Sequence, residues 1–416
     1  MIKIEKRIAS LESQVELGEF RLNSLLELTR AIAINQSIEQ IVRMFEFVMR
    51  EQLGFDHFLL FNKENQWSPL LKIGLKSKVK DISVEKELYR FREITVIESS
   101  YSPIIDEFDI IVPVFHKDKP LAYLLIAGIE GTGIKKSETL ADMRFVQTLT
   151  NMVVMAIENK RMAREELKRE RLKKELEVAS EMQKLLFPSD LPSNKQMDIS
   201  AKYIPRHEVG GDYYDFIPLG ESKYVICIAD VSGKGISAAM LMANFQATIR
   251  TFYSTVHQIR PFSLEFLIEE LNKKVMTSAK GEKFITFFIA VYNAETRELD
   301  YVNAGHNQPI ITNGKEKKLL DIGCVGLGMF EEMPFIQVGK EILKPNTTLI
   351  LYTDGVVELE DEKNEHFELE RLIKIYHNFY RLSMEDMNNI VFSKLDEWRG
   401  NRKLVDDTAI FSCRFF

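Results

Sequence analysis

The chain has 416 residues, 45% apolar and 28% charged, with a net charge of −7. At ~100–200 residues per domain, this length points to two or three domains with packed cores, and the composition argues against global disorder. The acidic balance opposes nucleic-acid backbone and anionic lipid, and the scattered Cys227, Cys324 and Cys413 argue against a disulfide framework or a zinc–thiolate site. The opening MIKIEKRIASLESQVELGEF is charged throughout, and no run reaches the ~18 apolar residues of a membrane span. The expectation is a cytoplasmic protein with neither nucleic acid nor membrane as a partner.

The N-terminal segment reads as helix, because Ile8, Leu11, Val15, Leu22, Leu25 and Leu26 recur at helical spacing. A second helix is predicted over Ser37 to Gly54, with Ser37 and Gln40 at capping-box spacing and Gly54 as the C-cap. The period then changes. HFLLFNKE, LLKIGL and DIIVPVFHKDKPLAYLLIAGI read as strands joined by polar turns, and helix returns from about Glu138. A central antiparallel sheet with helices on one side accounts for this order. In pattern and length it resembles the GAF domain, a ligand-binding or dimerising sensor module. A generic α+β dimerisation domain is the other reading.

From Met162 to Leu186 the chain is highly charged. Leu172, Leu176, Ala179 and Leu186 form a stripe at three-and-four spacing, interrupted by Gln183, with Leu167 off the stripe. This is a short coiled-coil signal, with a solvated single helix as the alternative. The two prolines of FPSDLPS end it. The predicted domains are 1–160, a sensor; 161–187, a helical connector; and 188–416. In the last of these, KYVICIAD, KFITFFIAVYN, ELDYVNAGHNQPIIT, TTLILYTD and DTAIFSCRF are strand candidates. Helices are predicted from Ile236, from Ser263, at LERLIKIYHNF and at MEDMNNIVFSKLDEW. Regular βαβ repetition is absent, so packed antiparallel sheets flanked by helices are expected.

Several aspartates share a local grammar. Asp212 sits in VGGDYYD, Asp230 closes YVICIAD, Asp354 closes TLILYTD before Gly355, and Asp406 and Asp407 open the last strand. Carboxylates at largely buried strand ends need compensation, and no Lys or Arg adjoins Asp212, Asp230 or Asp354. Clustered like charges raise one another's pKa unless a cation intervenes, and all-oxygen ligation points to Mg²⁺ or Mn²⁺ over Zn²⁺. Gly210, Gly211, Gly233 and Gly235 would let backbone approach such ions. Each aspartate alone is more often a turn or an N-cap, and Asp215 reads as a turn cap after Tyr214. SGKG lacks the frame of a nucleotide loop.

Together, EVGGDYYDF, ADVSGKGISAAMLMA, TFFIAVYN, YVNAGHNQPI, YTDGVVE and VDD resemble the metal-dependent PPM-type serine/threonine protein phosphatases, in the bacterial branch of the stage II sporulation E and regulator-of-sigma-subunit phosphatases. ASEMQKLLFPSDLP resembles that branch's entry into the catalytic domain. The resemblance implies an α+β chain of two domains, a GAF-like α/β sensor followed by an α/β/β/α sandwich of antiparallel sheets. It implies that Asp230 bridges two Mn²⁺ or Mg²⁺ ions, with Asp212 and the Val231 carbonyl on one and Asp354 and Asp406 on the other. Ala409 stands where the branch has threonine, and the glycine that often follows the branch's phenylalanine near LEDEKNEHFELERL is missing. The eukaryotic relatives' phosphate-holding arginine has no clear equivalent.

The implied reaction is hydrolysis of phosphoserine or phosphothreonine on a protein by a metal-activated water, with no side-chain nucleophile. His306 is read as structural rather than as a general acid. His207 is placed near the phosphate, and Lys234 in SGKG is either a solvated loop charge or a phosphate contact. The implied substrate is a phosphorylated anti-anti-sigma-like (STAS) protein in a partner-switching pathway. The layout suggests a homodimer through the N-terminal domain and connector, with a small-molecule or protein signal at the sensor. A non-catalytic scaffold, a phosphatase for another phosphoprotein or small phosphomonoester, and a nucleotide cyclase are the rivals. The four aspartates argue against the scaffold, and missing motifs argue against the cyclase.

Overall fold

The computed structural model describes residues 2–64, 66–75, 82–97, 101, 105–128, 136–257, 263–314 and 316–416; Ile129, at the end of the predicted YLLIAGI strand, lies outside them. The chain forms two compact units, Met1–Glu170 and Arg171–Phe416. It is a two-domain α+β protein. Among the described residues no helix is long and apolar enough to cross a membrane.

In the first unit, α1 (Ile2–Ala33) is followed by α2 (Ile38–Phe47). The Ser37–Gln40 capping box forms in both directions, satisfying two backbone N–H groups at the start of α2. The sheet has the order β2–β1–β5–β4–β3, with β1 His57–Lys63, β2 Trp67–Ile73, β3 Thr95–Val96, β4 Ile110–His116 and β5 Lys119–Ala127, all antiparallel. Strand alternation divides its side chains. Phe58, Leu60, Val112 and Leu124 meet Leu28, Phe45, Leu149 and Val153 of the helices, while Leu59, Phe61, Ile111 and Tyr123 form a second core with Leu88 and Phe91. A short helical turn, α3 (Val84–Glu87), lies in the second core's segment. The helix α4 (Lys136–Lys184) carries the chain onward. In its last turns Leu172 is exposed and Gln183 is buried.

The second unit has two sheets. One follows the order β13–β10–β9–β8–β7, with β7 Tyr213–Leu219, β8 Lys223–Val231, β9 Ile285–Asn293, β10 Glu298–Ala304 and β13 Gly323–Cys324; β14 (Gly339–Ile342) also pairs with β10. The other follows β12–β11–β15–β16–β6, with β6 Met197–Ile204, β11 Ile310–Thr312, β12 Lys317–Leu319, β15 Thr347–Tyr352 and β16 Thr408–Phe415. Their strand pairs are antiparallel except β10 with β13. One shared core takes Tyr214, Ile226, Ile228 and Phe288 from the first sheet and Ile199, Leu351, Phe411 and Phe415 from the second. The other face of the first sheet packs on α5 (Ile236–Thr251) and α6 (Leu264–Ala279). The other face of the second packs on α8 (Leu369–Asn378) and α9 (Met384–Arg399), after the short α7 (Asp354–Val357).

Candidate active site

Asp212 stands just before β7, Asp230 and Val231 end β8, and Asp406 and Asp407 precede β16. Asp354 does not close a strand. β15 ends at Tyr352, and Asp354 opens α7 with Thr353 as its N-cap. The aspartates reach one another's fields although they come from four separate segments. Asp212 is 1% exposed, and burial, then the charges of Asp230 and Asp407, push its carboxyl well above the usual range. Burial, then Asp354 and Asp406, push Asp230 up to about 7. Burial, then Asp406, push Asp354 up to about 6.

The surroundings give this cluster little positive charge. The Thr353 hydroxyl donates to Asp212 at 2.8 Å and accepts the Ala409 N–H at 2.9 Å. That second bond needs only the backbone of residue 409, so the alanine there leaves it intact. Lys234 reaches Asp406 at 2.5 Å and donates to the Val405 carbonyl at 3.0 Å. Asp407 is a backbone clamp, accepting from the N–H groups of Gly211 at 2.7 Å and Arg206 at 2.8 Å.

Two glycines keep the approach bare. A β-carbon on Gly211 would lie 3.0 Å from the Val231 carbonyl oxygen, and one on Gly355 would strike the Asp407 carbonyl. Among the described residues no group of three or more His, Cys, Asp or Glu side chains is arranged to hold a metal ion as it stands. The chemistry of the donor set nevertheless fits a hard divalent cation: carboxylates short of counter-charge, beside a main-chain carbonyl that Gly211 leaves uncovered.

Other sequence readings resolve differently. His306 is buried, with Nδ1 2.9 Å from the Thr286 hydroxyl and Nε2 3.2 Å from the Tyr352 carbonyl, so it ties β9 to β15. Burial lowers its pKa to about 4. His207 is exposed at the surface. Asp215 is no turn cap. It lies within β7, fully buried, and the Arg250 guanidinium of α5 meets it through two hydrogen bonds of 2.8 and 2.7 Å. Sequence reasoning missed Thr353 and Gln183. Thr353 carries no signal of its own, whereas Gln183 broke the connector's apolar stripe.

Residues 220–416 match the family described as stage II sporulation protein E. The phosphoserine phosphatase RsbU of Bacillus subtilis is 31% identical over 207 residues, covering 49% of this chain and 60% of that one. The phosphoserine phosphatase RsbP of the same organism is 29% identical over 191 residues, 45% of this chain and 46% of that one. The chain thus spans about half the length of these curated relatives. The SiaA-PP2C domain of Pseudomonas aeruginosa shares the fold at a TM-score of 0.53 and 20% identity, over 60% of this chain and 99% of that one. The C-terminal part of this chain is thus similar to the stage II sporulation protein E family and to the phosphoserine phosphatases RsbU and RsbP.

Proposed function

We propose that this protein is a metal-dependent phosphatase for phosphoserine or phosphothreonine on a regulatory protein. The observation that carries the reading is the group of buried and half-buried aspartates around Asp230, raised by burial and then by one another's charge, in a segment related to phosphoserine phosphatases. In this reading Asp230 would serve both of two Mn²⁺ or Mg²⁺ ions, Asp212 and the Val231 carbonyl would hold one, and Asp354 and Asp406 would hold the other. When bound, such ions supply charge neutralisation and an acidified water. The chain's own part is to aim the donors. Thr353 orients Asp212, Asp407 fixes the Gly211 peptide, and the N-cap turn at Thr353 presents Asp354.

The two sheets and their flanking helices are read as an α/β/β/α sandwich. The N-terminal unit is read as a GAF-like sensor that dimerises with a second copy. The exposed Ile8, Leu11, Val15 and Leu22 of α1 support that pairing. A phosphorylated STAS-like protein in a partner-switching pathway is the proposed substrate, by likeness to the sigma-regulating relatives, in the cytoplasm.

The test is phosphate release from a phosphoserine peptide and from a phosphorylated STAS protein by the full chain, with Mn²⁺ or Mg²⁺, beside Asp230→Asn. Metal-dependent turnover that Asp230→Asn abolishes supports the reading. Turnover that survives chelation, or survives Asp230→Asn, sinks it.

A further inference from the structure

Gln183, in the last turn of α4, is 7% exposed. Its Nε2 donates to the Gly210 carbonyl at 2.7 Å, and its Oε1 accepts the Gly210 N–H at 3.2 Å. Both halves of one primary amide are thus spent on the backbone of one residue, 27 positions away. Gly210 precedes β7 and belongs to no strand, so no ladder partner is available for its buried N–H and C=O. Left unmatched, those groups would carry the full cost of desolvation.

The same loop carries Asp212. Beyond Gly210, the Gly211 N–H is held by Asp407, and the Asp212 carboxylate by Thr353. Gly210 itself must stay bare, because a β-carbon there would overlap the Tyr203 hydroxyl and the Asp407 carboxylate. A loop without side chains at two successive positions has little packing to fix it, and hydrogen bonds must do so. The helix end does not need Gln183 for its own anchorage. The Leu186 carbonyl accepts from Gln246 of α5 at 3.2 Å, and the Phe187 ring packs 4.8 Å from Tyr214 and 5.3 Å from Tyr203.

We propose that Gln183 is a positioning residue: its amide fixes the Gly210–Asp212 loop, and so the place of the Asp212 carboxylate, from the end of the connector helix. This rests on the phosphatase reading for what the carboxylate does, but not for the loop contact itself.

Four full-length proteins test it: wild type, Gln183→Ala, Gln183→Met and Gln246→Ala. Methionine keeps the volume and length of glutamine without its hydrogen bonds. Three quantities are read: hydrogen exchange in a peptide spanning 208–212, Mn²⁺ affinity by calorimetry, and kcat and KM on a phosphoserine peptide. Both Gln183 variants are expected to speed exchange and weaken Mn²⁺ binding, each by about 5- to 50-fold as two lost hydrogen bonds imply, and to lower kcat with little change in KM. Gln246→Ala is expected to leave all three near wild type. A Gln183→Met protein indistinguishable from wild type would reduce the residue to packing and overturn the proposal. Equal effects from Gln246→Ala would also overturn it, by making Gln183 a helix anchor. If the wild type hydrolyses no phosphoserine, the phosphatase reading fails by itself, and exchange and Mn²⁺ binding still decide the role of Gln183.

Discussion

In the middle of β7, Asp215 meets the Arg250 guanidinium twice, the Tyr213 hydroxyl at 2.5 Å and the Phe216 N–H at 2.8 Å. At the entrance to the same strand, Asp212 meets the Thr353 hydroxyl and feels the repelling charges of Asp230, Asp407 and Asp354. Both side chains are almost wholly buried. The mid-strand acid has its charge matched by a cation of this chain, so it is a structural clamp between sheet and helix. The entrance acid is held by the fold in a place where its charge is unmatched. Proteins keep such a group where it serves a ligand.

Exchanging each acid for its amide should therefore move stability in opposite directions. Asp212→Asn removes a repelled buried charge, so the chelator-treated protein should unfold at higher temperature than wild type, by about 1–2 kcal/mol of stability. The same change should cost at least ~10³-fold in metal-dependent phosphate release, because an oxygen donor with full charge is lost. Thermal unfolding in EDTA and steady-state turnover measure the two effects. Loss of both stability and activity would mean that Asp212 is a structural acid like Asp215.

Asp215→Asn should leave the guanidinium with half its partner. Arg250 is 45% exposed in its side chain and can turn to water, so the loss is smaller than for a wholly buried pair, about 2–4 kcal/mol. Urea unfolding followed in the C-terminal unit reads it. A change below 1 kcal/mol would contradict the clamp. Turnover per folded molecule should fall far less than for Asp212→Asn, which keeps the two roles separate.

The contrast also marks how far the sequence could be read. Asp212, Asp230, Asp354 and Asp406 stand out in the sequence because each pairs an acid with glycine or a strand end, a local pattern. The N-terminal strands were legible through alternation, and Ser37–Gln40 through its spacing. What escaped was set by distance along the chain or by shortness. Arg250 lies 35 residues from Asp215, and Thr353 lies 141 from Asp212, so neither partnership leaves a local trace. β7 was hidden because it carries Asp215 at its buried centre, where a charge reads as a turn. β13, with two residues, is too short for any period to show. Gln183 did leave a trace, as the break in the connector's stripe, but the break suggested weaker coiling rather than a partner in the site loop.

His306 extends the comparison to a cation that the fold keeps neutral. Its folded pKa, about 4, lies below the unfolded value of 6.5. The unfolded state therefore binds more protons between these two values. The neutral site costs nothing above 6.5, and stability is lost as pH falls toward about 4. From pH 7 to pH 5 the loss from this residue is about 2 kcal/mol. Asp230 and Asp354, with raised pKa values, act in the opposite sense over part of this range, so the useful quantity is the difference between wild type and His306→Gln in urea unfolding at each pH. A difference that does not change between pH 7 and pH 5 would mean that His306 takes up a proton in the fold as readily as in the unfolded chain.

The smallest effect is expected at Lys234, the cation nearest the unmatched cluster. Its ammonium touches Asp406 yet is 40% exposed, and the Asp406 side chain is 35% exposed. An ion pair so open to water contributes about 0–1 kcal/mol, too little to offset the charge at the buried Asp212 and the half-buried Asp230. Lys234→Ala should therefore shift the unfolding midpoint barely, and should tighten rather than weaken Mn²⁺ binding, since a competing cation leaves Asp406. Calorimetric titration of Mn²⁺ into both proteins checks the sign. Weaker binding in the variant would mean that the lysine holds Asp406 in place for the ion, and that this edge of the site, like the middle of β7, is organised by a cation of the chain itself.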